Sequence, residues 1–259
     1  MSAEVFSHLS LSAFQQPRRQ HAEGAWKGHI PFAFWCIEWF RPQVLVELGT
    51  HVGDSYFACC QAVETYATAT RCFAVDTWQG DPHSGDYDDE IYNDVKSHNL
   101  EHYSAFSSLM RMKFDDALEQ FSDGSIDLLH IDGFHTYGAV RHDFDTWLPK
   151  MSRRGVLLFH DSNVFEDGFG VWQLMRELEQ RFAHFHFLHC NGLSMFTLSD
   201  ESPADARWMT SLSPSESDIW RHIFARLGNW AIQEATPAPD PSLRAHAIRS
   251  FQARFLNKR

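Results

Sequence analysis

One twelve-residue stretch, VLVELGTHVGDS from Val44 to Ser55, most constrains how this chain can fold. It opens on an apolar run that is typical of a strand buried on both faces. Gly49 and Gly53 follow, and Asp54 with Ser55 can cap the helix that the next residues predict. The order of strand, glycine turn and helix lets a ligand approach bare backbone, with helix N–H groups directed at an anionic group.

The same stretch lacks the phosphate-binding motifs of nucleotide folds. His51 stands where the second glycine of GxGxxG belongs, and GxxxxGK[ST] does not occur. One carboxylate, that of Glu47, with two glycines four residues apart suits a smaller zwitterionic ligand. An NAD-type dehydrogenase remains an alternative, and the missing GxGxxG counts against it.

Charge and cysteine content narrow the classes of partner and compartment. The 259 residues carry 22 Lys and Arg against 34 Asp and Glu, so the formal net charge is −12. This charge argues against nucleic acid or an anionic membrane as the main partner. The five cysteines form no CxxC motif, which favours free thiols and a cytoplasmic location. We expect no membrane span, because the longest apolar stretch, 30–40, contains Pro31 and Glu38 and is too short.

Hydrophobic periodicity predicts an α/β fold with a mostly parallel seven-stranded sheet. The Asn-Gly turn at 191–192 predicts that the last two strands form an antiparallel hairpin. The predicted strands are 44–48, 71–75, 109–113, 125–132, 155–159, 185–188 and 193–198.

We expect three parts along the chain: a helical arm over 1–41, a cofactor-binding domain over 42–199 and a helical extension over 200–259. The extension begins with a Ser/Pro/Asp-rich stretch, typical of a linker, and ends in a basic helix through Phe251 and Phe255. It packs either on the domain or on a partner subunit, so a homo-oligomer remains open.

Two acidic side chains follow strands that we expect to be neighbours. Asp132 and Asp161 each end a buried strand, and parallel sheets bind ligands at that edge. Two carboxylates there form a hard-oxygen site for Mg²⁺ or another divalent ion, which Asn163 or Ser162 can complete. His135 lies three residues past Asp132 and can reach the same pocket. The histidines directly before the two aspartates, His130 and His160, should point the opposite way, into the core.

A second group of residues suits the nucleoside part of a ligand. Asp76 ends the predicted second strand, where a carboxylate can accept hydrogen bonds from the two hydroxyls of ribose. Its alternative role is a helix cap or turn former. Trp78, after Thr77, covers an adenine ring or anchors its loop, and Asp115 lies near the adenine edge or caps the following helix.

Together these motifs resemble class I S-adenosylmethionine-dependent O-methyltransferases, most closely the catechol O-methyltransferase type, in which ELGxxxGxS recurs. Those enzymes place a metal-binding Asp after the fourth strand, a basic residue three positions later and an Asp-Asn pair after the fifth. The matching positions here are Asp132, His135 and Asp161, while the inserted Ser162 leaves the third ligand open between Ser162 and Asn163. The wider pattern HIDGxHxY…HD resembles macrocin-type sugar O-methyltransferases and methyltransferases of glycan assembly.

The resemblance covers about 26–198 and implies a three-layer Rossmann-like sandwich. It implies methyl transfer from S-adenosylmethionine to a hydroxyl of a small molecule or glycan, with Asp132 and Asp161 on Mg²⁺ and His135, neutral near pH 7, as the base. The cofactor-binding residues that it implies are Glu47, Gly49, Thr50, Gly53, Ser55, Asp76, Thr77, Trp78 and Asp115. A non-catalytic scaffolding module of glycan assembly remains the second alternative.

Overall fold

A seven-stranded sheet with helices on both faces organises the computed structural model. The described residues are 7–21, 24–66, 69–81, 85–86, 88–166 and 168–235. The strands are β1 (Val44–Leu48), β2 (Arg71–Asp76), β3 (Gly80–Asp81), β4 (Gly85–Asp86), β5 (Ser107–Arg111), β6 (Ile126–Ile131), β7 (Met151–His160), β8 (Ala183–Phe187) and β9 (Leu193–Thr197). The α-helices are α1 (Ile30–Phe40), α2 (Asp54–Thr65), α3 (Asp89–His102), α4 (Phe114–Ala117), α5 (Tyr137–Trp147), α6 (Val171–Leu178), α7 (Ala204–Thr210) and α8 (Pro214–Ala235).

The strand order in the sheet is β5-β2-β1-β6-β7-β9-β8. The five strands from β5 to β7 pair in parallel, whereas β9 runs antiparallel to both β7 and β8. This topology confirms the predicted Rossmann-like sandwich, including the antiparallel hairpin at its end. Because the order reverses between β1 and β6, the carboxyl ends of these two strands flank the crevice where such sheets bind ligands.

Two apolar layers cover the sheet. On one face α1 and α2 pack with α8, around the fully buried Trp35 and Trp220. On the other face α5 and α6 pack around Trp147 and Phe144. Every residue of β1 is buried, Glu47 included, as expected for a strand covered on both sides.

The third long strand begins earlier than the sequence predicts, at Ser107 instead of Leu109. The buried hydroxyl of Ser107 donates a hydrogen bond to Asn99 Oδ1 and lies 2.7 Å from the hydroxyl of Tyr56. Because these hydrogen bonds satisfy its hydroxyl, Ser107 can lie inside the sheet. A strand predicted from apolar periodicity alone does not include this polar residue.

The stretch 200–215, predicted as a linker, instead contains α7, which buries Ala206 and Met209. It continues into α8, whose contacts with α1 join the two ends of the described chain. The predicted basic helix through Phe251 and Phe255 lies outside the described residues. Among the residues that are described, no helix is both long enough and apolar enough to cross a bilayer.

Candidate functional site

A cleft of about 550 Å³ opens at the carboxyl ends of β1, β2, β6 and β7. Its wall contains three features that the sequence singles out: the glycine turn after β1, Asp76 at the end of β2, and the acidic residues after β6 and β7. Predicted site residues in this wall are Gly49, Thr50, Ser55, Asp76, Thr77, Asp132, His135 and Asp161. The separately predicted donor and acceptor sites therefore share one crevice.

The glycine turn packs directly on the end of β6. Gly49 adopts a φ of 86°, and a Cβ at this position would overlap the carbonyl oxygen of Asp132. Gly53, with a φ of 85°, donates its N–H to the Thr50 carbonyl at 2.8 Å and precedes α2. A side chain is thus excluded at Gly49 by the approach of β6 and is strained at Gly53 by the backbone angle.

Asp76 ties this turn to the end of β2. Its Oδ2 accepts the backbone N–H groups of Thr50 and His51 at 2.8 and 2.9 Å, and its Oδ1 accepts that of Trp78 at 2.7 Å. A carboxylate offers about four acceptor positions, so one more hydrogen bond from a ligand hydroxyl can be added. Asp76 is half-buried and faces the cleft, as a ribose-binding residue requires.

Glu47 lies behind the cleft instead of lining it. It pairs with His130 across β1 and β6, and its Oε2 lies 2.8 Å from His130 Nδ1. Burial raises the pKa of Glu47, and the hydrogen bond from His130 opposes that rise. His130 engages Oε2 of Glu47 in the core, and the cofactor contact of Glu47 that the resemblance implies stays a prediction.

Trp78 anchors its loop, which is one of the two roles that the sequence predicts for it. The indole is fully buried, donates from Nε1 to the His51 carbonyl at 2.8 Å and packs on Tyr92. It anchors its loop from the core and does not line the cleft.

Asp115 does not cap α4, and its position near the adenine edge stays a prediction. It lies within the first turn of α4 and not at the cap, and its carboxylate contacts His142 Nε2 at 2.8 Å on the surface. Two neighbours, Lys113 and Phe114, line the cleft in its place.

Asp132, His135 and Asp161 form a compact cluster. One ligand atom of each, namely a carboxylate oxygen or the imidazole nitrogen, lies within 4.8 Å of the others. His135 Nε2 lies 2.8 Å from Asp161 Oδ2 and 3.6 Å from Asp132 Oδ1. The imidazole is also stacked on Phe169, with ring centroids 4.7 Å apart. Two carboxylates and one imidazole at these separations fit a single divalent cation.

His160 belongs to this cluster, although strand alternation predicts that it points into the core. Its Nδ1 lies 3.3 Å from Asp132 Oδ1 and 3.5 Å from Asp161 Oδ2. The cause is local: Asp161 has a φ of 54°, so the strand alternation ends at this residue and both side chains reach the same cluster. A positive φ cannot be recognised from periodicity, and this contact was missed.

Asn191 also belongs to the cluster and Asn163 does not. The Asn191 side chain donates from Nδ2 to Asp161 Oδ1 at 2.8 Å. The Asn163 amide instead donates to the Leu188 carbonyl at 3.0 Å, and Ser162 packs against Gly192 of the hairpin turn. The third metal ligand, Asn163 or Ser162, stays a prediction, and the third ligand-type atom beside Asp132 and Asp161 in this cluster belongs to His135. The Asn-Gly motif at 191–192 predicts a turn but not a contact with Asp161. This motif is the one feature of the sequence that draws attention to Asn191.

The cluster fixes the charges of its histidines. Burial lowers the pKa of His135, but the hydrogen bonds that its imidazole donates to Asp132 and Asp161 outweigh burial and raise that pKa to about 9. The same balance raises the pKa of His160 to about 10. The pKa of Asp161 falls well below its usual range because both imidazoles donate to it, against the effect of burial. The imidazole of His135 is thus protonated at pH 7 in this arrangement, contrary to the neutral state that the sequence predicts.

Comparisons with known proteins bear on this region. A family model described as a methyltransferase domain matches residues 46–162, which include the glycine turn, Asp76 and the Asp132–Asp161 cluster. The uncharacterized protein y4gI of Sinorhizobium fredii is 44% identical over 231 residues, covering 88% of this chain and 25% of that protein. The chain therefore spans about a quarter of the length of the curated relative that it matches.

Solved structures share the fold at low sequence identity. A methyltransferase from Geobacter sulfurreducens is 13% identical, with a TM-score of 0.50 over 66% of this chain and 80% of that one. The O-methyltransferase TomG from Streptomyces achromogenes, which is involved in tomaymycin synthesis, is 12% identical, with a TM-score of 0.51 over 73% and 94%. The methyltransferase PaMTH1 from Podospora anserina is 12% identical, with a TM-score of 0.51 over 66% and 78%. These likenesses identify the Rossmann-like methyltransferase fold.

Proposed function

We propose that this chain is an S-adenosylmethionine-dependent O-methyltransferase that acts on a hydroxyl of a small molecule or of a glycan. One observation carries the proposal. The glycine turn with Asp76 and the cluster of Asp132, His135 and Asp161 line one cleft, so a methyl donor and an acceptor can meet in it.

The donor side of the cleft fits this cofactor in three respects. Asp76 keeps acceptor capacity for the ribose hydroxyls beyond its three backbone partners. The buried hydroxyl of Thr50, in the cleft wall, has no hydrogen-bond partner among the described residues and is available to a polar group of the ligand. Ser55, near the start of α2, lies where a helix N-terminus favours a carboxylate.

The acceptor side fits a divalent cation such as Mg²⁺, which Asp132 and Asp161 would hold. A cation there would supply positive charge that lowers the pKa of the acceptor hydroxyl. It would also offset the carboxylate charge that keeps His135 protonated. His135 Nε2 is the atom that we assign to accept the hydroxyl proton, and the stacked ring of Phe169 orients the imidazole.

In the proposed reaction the main task of the protein is to align the methyl donor with the acceptor hydroxyl. S-adenosylmethionine supplies an activated methyl group when bound, so the chain has to orient donor and hydroxyl and to remove one proton. Asp76 and the glycine turn hold the donor at one end of the cleft. The acidic cluster orients the hydroxyl at the other end, and the apolar side chains of Trp26 and Phe134 in the wall limit the access of water.

The test uses the full chain. Calorimetric titration with S-adenosylmethionine, S-adenosylhomocysteine and NAD should give binding of the first two and none of NAD. Transfer of radiolabelled methyl to a panel of phenols and glycosides should then be seen, and it should fall when a chelator is added. Binding of NAD in preference to S-adenosylmethionine would overturn the proposal in favour of a dehydrogenase. Cofactor binding without transfer to any alcohol would leave only the scaffolding alternative.

A further inference from the structure

A segment that precedes the sheet domain runs along α2 toward the first residue of that helix. The Gln16 carbonyl accepts a hydrogen bond from Gln61 Nε2 at 3.1 Å, and the backbone N–H of Arg18 donates to Gln61 Oε1 at 2.7 Å. The residues that follow Arg18 reach the glycine turn itself. The segment lies outside 46–162, so the match to the methyltransferase-domain model does not cover its contacts with the turn.

Arg19 binds the turn through a backbone carbonyl. Its Nε and Nη2 both donate to the Val52 carbonyl, at 3.1 and 3.0 Å. Val52 lies in the cleft wall, between the two glycines of the turn. Nη2 also pairs with Asp94 of α3, and the guanidinium lies over the ring of Phe57 in α2, 5.4 Å from its centroid. One side chain thus joins the turn to two helices.

The side chain of Arg19 is largely shielded from water. It is 11% exposed, whereas that of the neighbouring Arg18, which pairs with Glu64 of α2, is 44% exposed. A hydrogen bond from a charged donor contributes more to a structure than an exposed ion pair does. Loss of Arg19 would remove both of these donors from the Val52 carbonyl. The turn should therefore depend on Arg19 more than α2 depends on Arg18.

His21 contacts the residue that follows the turn. Its backbone N and its ring Nδ1 lie 3.2 and 2.8 Å from Asp54 Oδ1. Asp54 begins α2, lines the cleft and is buried. Its carboxylate would repel an anionic group of a ligand, which the N-terminus of a helix otherwise attracts. The contacts with His21 engage one of its oxygens, and Arg19 adds positive charge at the turn.

We propose that Arg19 is a positioning residue for the methyl donor: its guanidinium holds the Val52 carbonyl, so that the glycine turn keeps the shape and the charge that the carboxylate of the donor requires. Arg19 does not line the cleft and acts through the turn. This inference rests on the proposed function, because it concerns the donor end of the same cleft. It makes the segment before the sheet domain a part of the donor site.

The first experiment compares two neighbouring arginines by calorimetric titration. Arg19→Gln should weaken the binding of S-adenosylhomocysteine about tenfold or more, because the turn loses hydrogen bonds from a charged group. Arg18→Gln loses only the exposed pair with Glu64 and should bind as the wild type does. Equal affinities in the two variants and the wild type would overturn the inference and leave the methyltransferase proposal standing.

The kinetic readout distinguishes positioning of the donor from a general structural role. Arg19→Gln should raise the KM for S-adenosylmethionine, while its turnover and its acceptor KM at saturating donor match those of the wild type. A loss of turnover that saturating donor does not restore would overturn the inference, since the variant would then be damaged beyond the donor end of the cleft.

A second comparison separates the bond to the turn from the ion pair with α3. Asp94→Asn removes the charge partner of Arg19 and leaves its bonds to Val52, so it should bind S-adenosylhomocysteine nearly as tightly as the wild type. In Arg19→Ala, guanidinium chloride far below its denaturing range should restore part of the lost affinity. Equal weakening in Asp94→Asn and Arg19→Gln, without such rescue, would assign the effect to the docking of α3 and refute the role of the turn contact.

A measurement without ligand separates this inference from the proposed function. The Gly53 N–H donates to the Thr50 carbonyl within the turn, and its hydrogen exchange can be followed by NMR. Exchange should be faster in Arg19→Gln than in the wild type and in Arg18→Gln. Unchanged exchange would overturn the role of Arg19 in shaping the turn. Faster exchange, in a protein whose wild type binds no S-adenosylhomocysteine, would refute the proposed function and retain Arg19 as the residue that positions the turn.

Discussion

Nε2 of His135 lies 2.8 Å from Oδ2 of Asp161, so the residue assigned as the base donates a hydrogen bond to a residue assigned to the metal. In this contact the carboxylates outweigh burial and raise the pKa of His135 to about 9. A protonated imidazole cannot accept the proton of an alcohol. In the proposed mechanism the base and the cation are therefore coupled: His135 would become available as a base when a cation is held by Asp132 and Asp161.

Replacing His135 tests this assignment directly. In His135→Ala, turnover should fall by roughly 10²–10⁴-fold, the usual contribution of a general base. The affinity for S-adenosylmethionine should stay within a few-fold, because the donor contacts that we propose are those of Asp76 and the glycine turn and not of His135. Steady-state rates and calorimetric titration are the measurements.

His142→Ala is the matched control for that variant, since His142 is a surface histidine of α5 paired with Asp115. It should retain wild-type turnover. If both histidine variants turn over normally, His135 is not the base.

Asp161→Asn tests the cation. Mg²⁺ should raise the thermal midpoint of the wild type. The variant removes one of two carboxylates from the cluster, so this rise should shrink or vanish in it. Turnover of wild type in a chelator should fall to a similar level and return when Mg²⁺ is restored. Normal turnover of wild type in chelator would remove the metal from the mechanism and leave His135 with Asp161 as an ion pair alone.

The sequence predicted the sheet well because its signals are local and strong. The apolar runs of β1, β6 and β7 and the Asn-Gly turn at 191–192 each report on one short stretch, and parallel strands then bring Asp76, Asp132 and Asp161 to one edge. The predictions for the site were incomplete where one backbone angle or one long-range contact determines the position of a side chain. Asp161 adopts a positive φ that brings His160 into the cluster, and this angle has no periodic signature.

Contacts between distant residues are the other information that local sequence signals lack. Glu47 has a sequence position typical of a cofactor ligand, and its register partner His130 engages Oε2 of its carboxylate. Asn163 was predicted from a motif spacing with one insertion, and its amide donates to the backbone carbonyl of Leu188. Trp26 lies far from the motifs along the chain and lines the cleft from a segment that contacts α8 and the hairpin turn.

Asp76 should be required for donor binding and for the shape of the turn. Asp76→Ala removes the acceptor of three backbone N–H groups, so we expect loss of measurable S-adenosylmethionine binding and a destabilisation of about 1–3 kcal/mol. Asp76→Asn keeps an acceptor oxygen and should be less destabilised, yet it should still bind the donor more weakly. Calorimetry and urea unfolding measure the two effects, and full donor affinity in both variants would exclude Asp76 from the cofactor site.

Asp143 makes the stability of the fold depend on pH. It lies in α5 below the turn at Gly133, is 7% exposed, and burial raises the pKa of its carboxyl to about 7, with His142 opposing the shift. A carboxyl with a raised pKa binds more protons in the folded state than in the unfolded state. Its contribution therefore makes the fold less stable as pH rises from about 4 to about 7.

Asp143→Asn removes this penalty, so its stability advantage over wild type should grow by about 3 kcal/mol between pH 5 and pH 8. Urea unfolding at several pH values measures it, with the exposed Asp116→Asn as control, for which the difference from wild type should stay flat. A constant difference for Asp143→Asn across the same range would mean that the carboxyl is ionised in the fold. It would then have to be stabilised by a partner, which would be sought in the small cavity that it shares with Asp132 and His135.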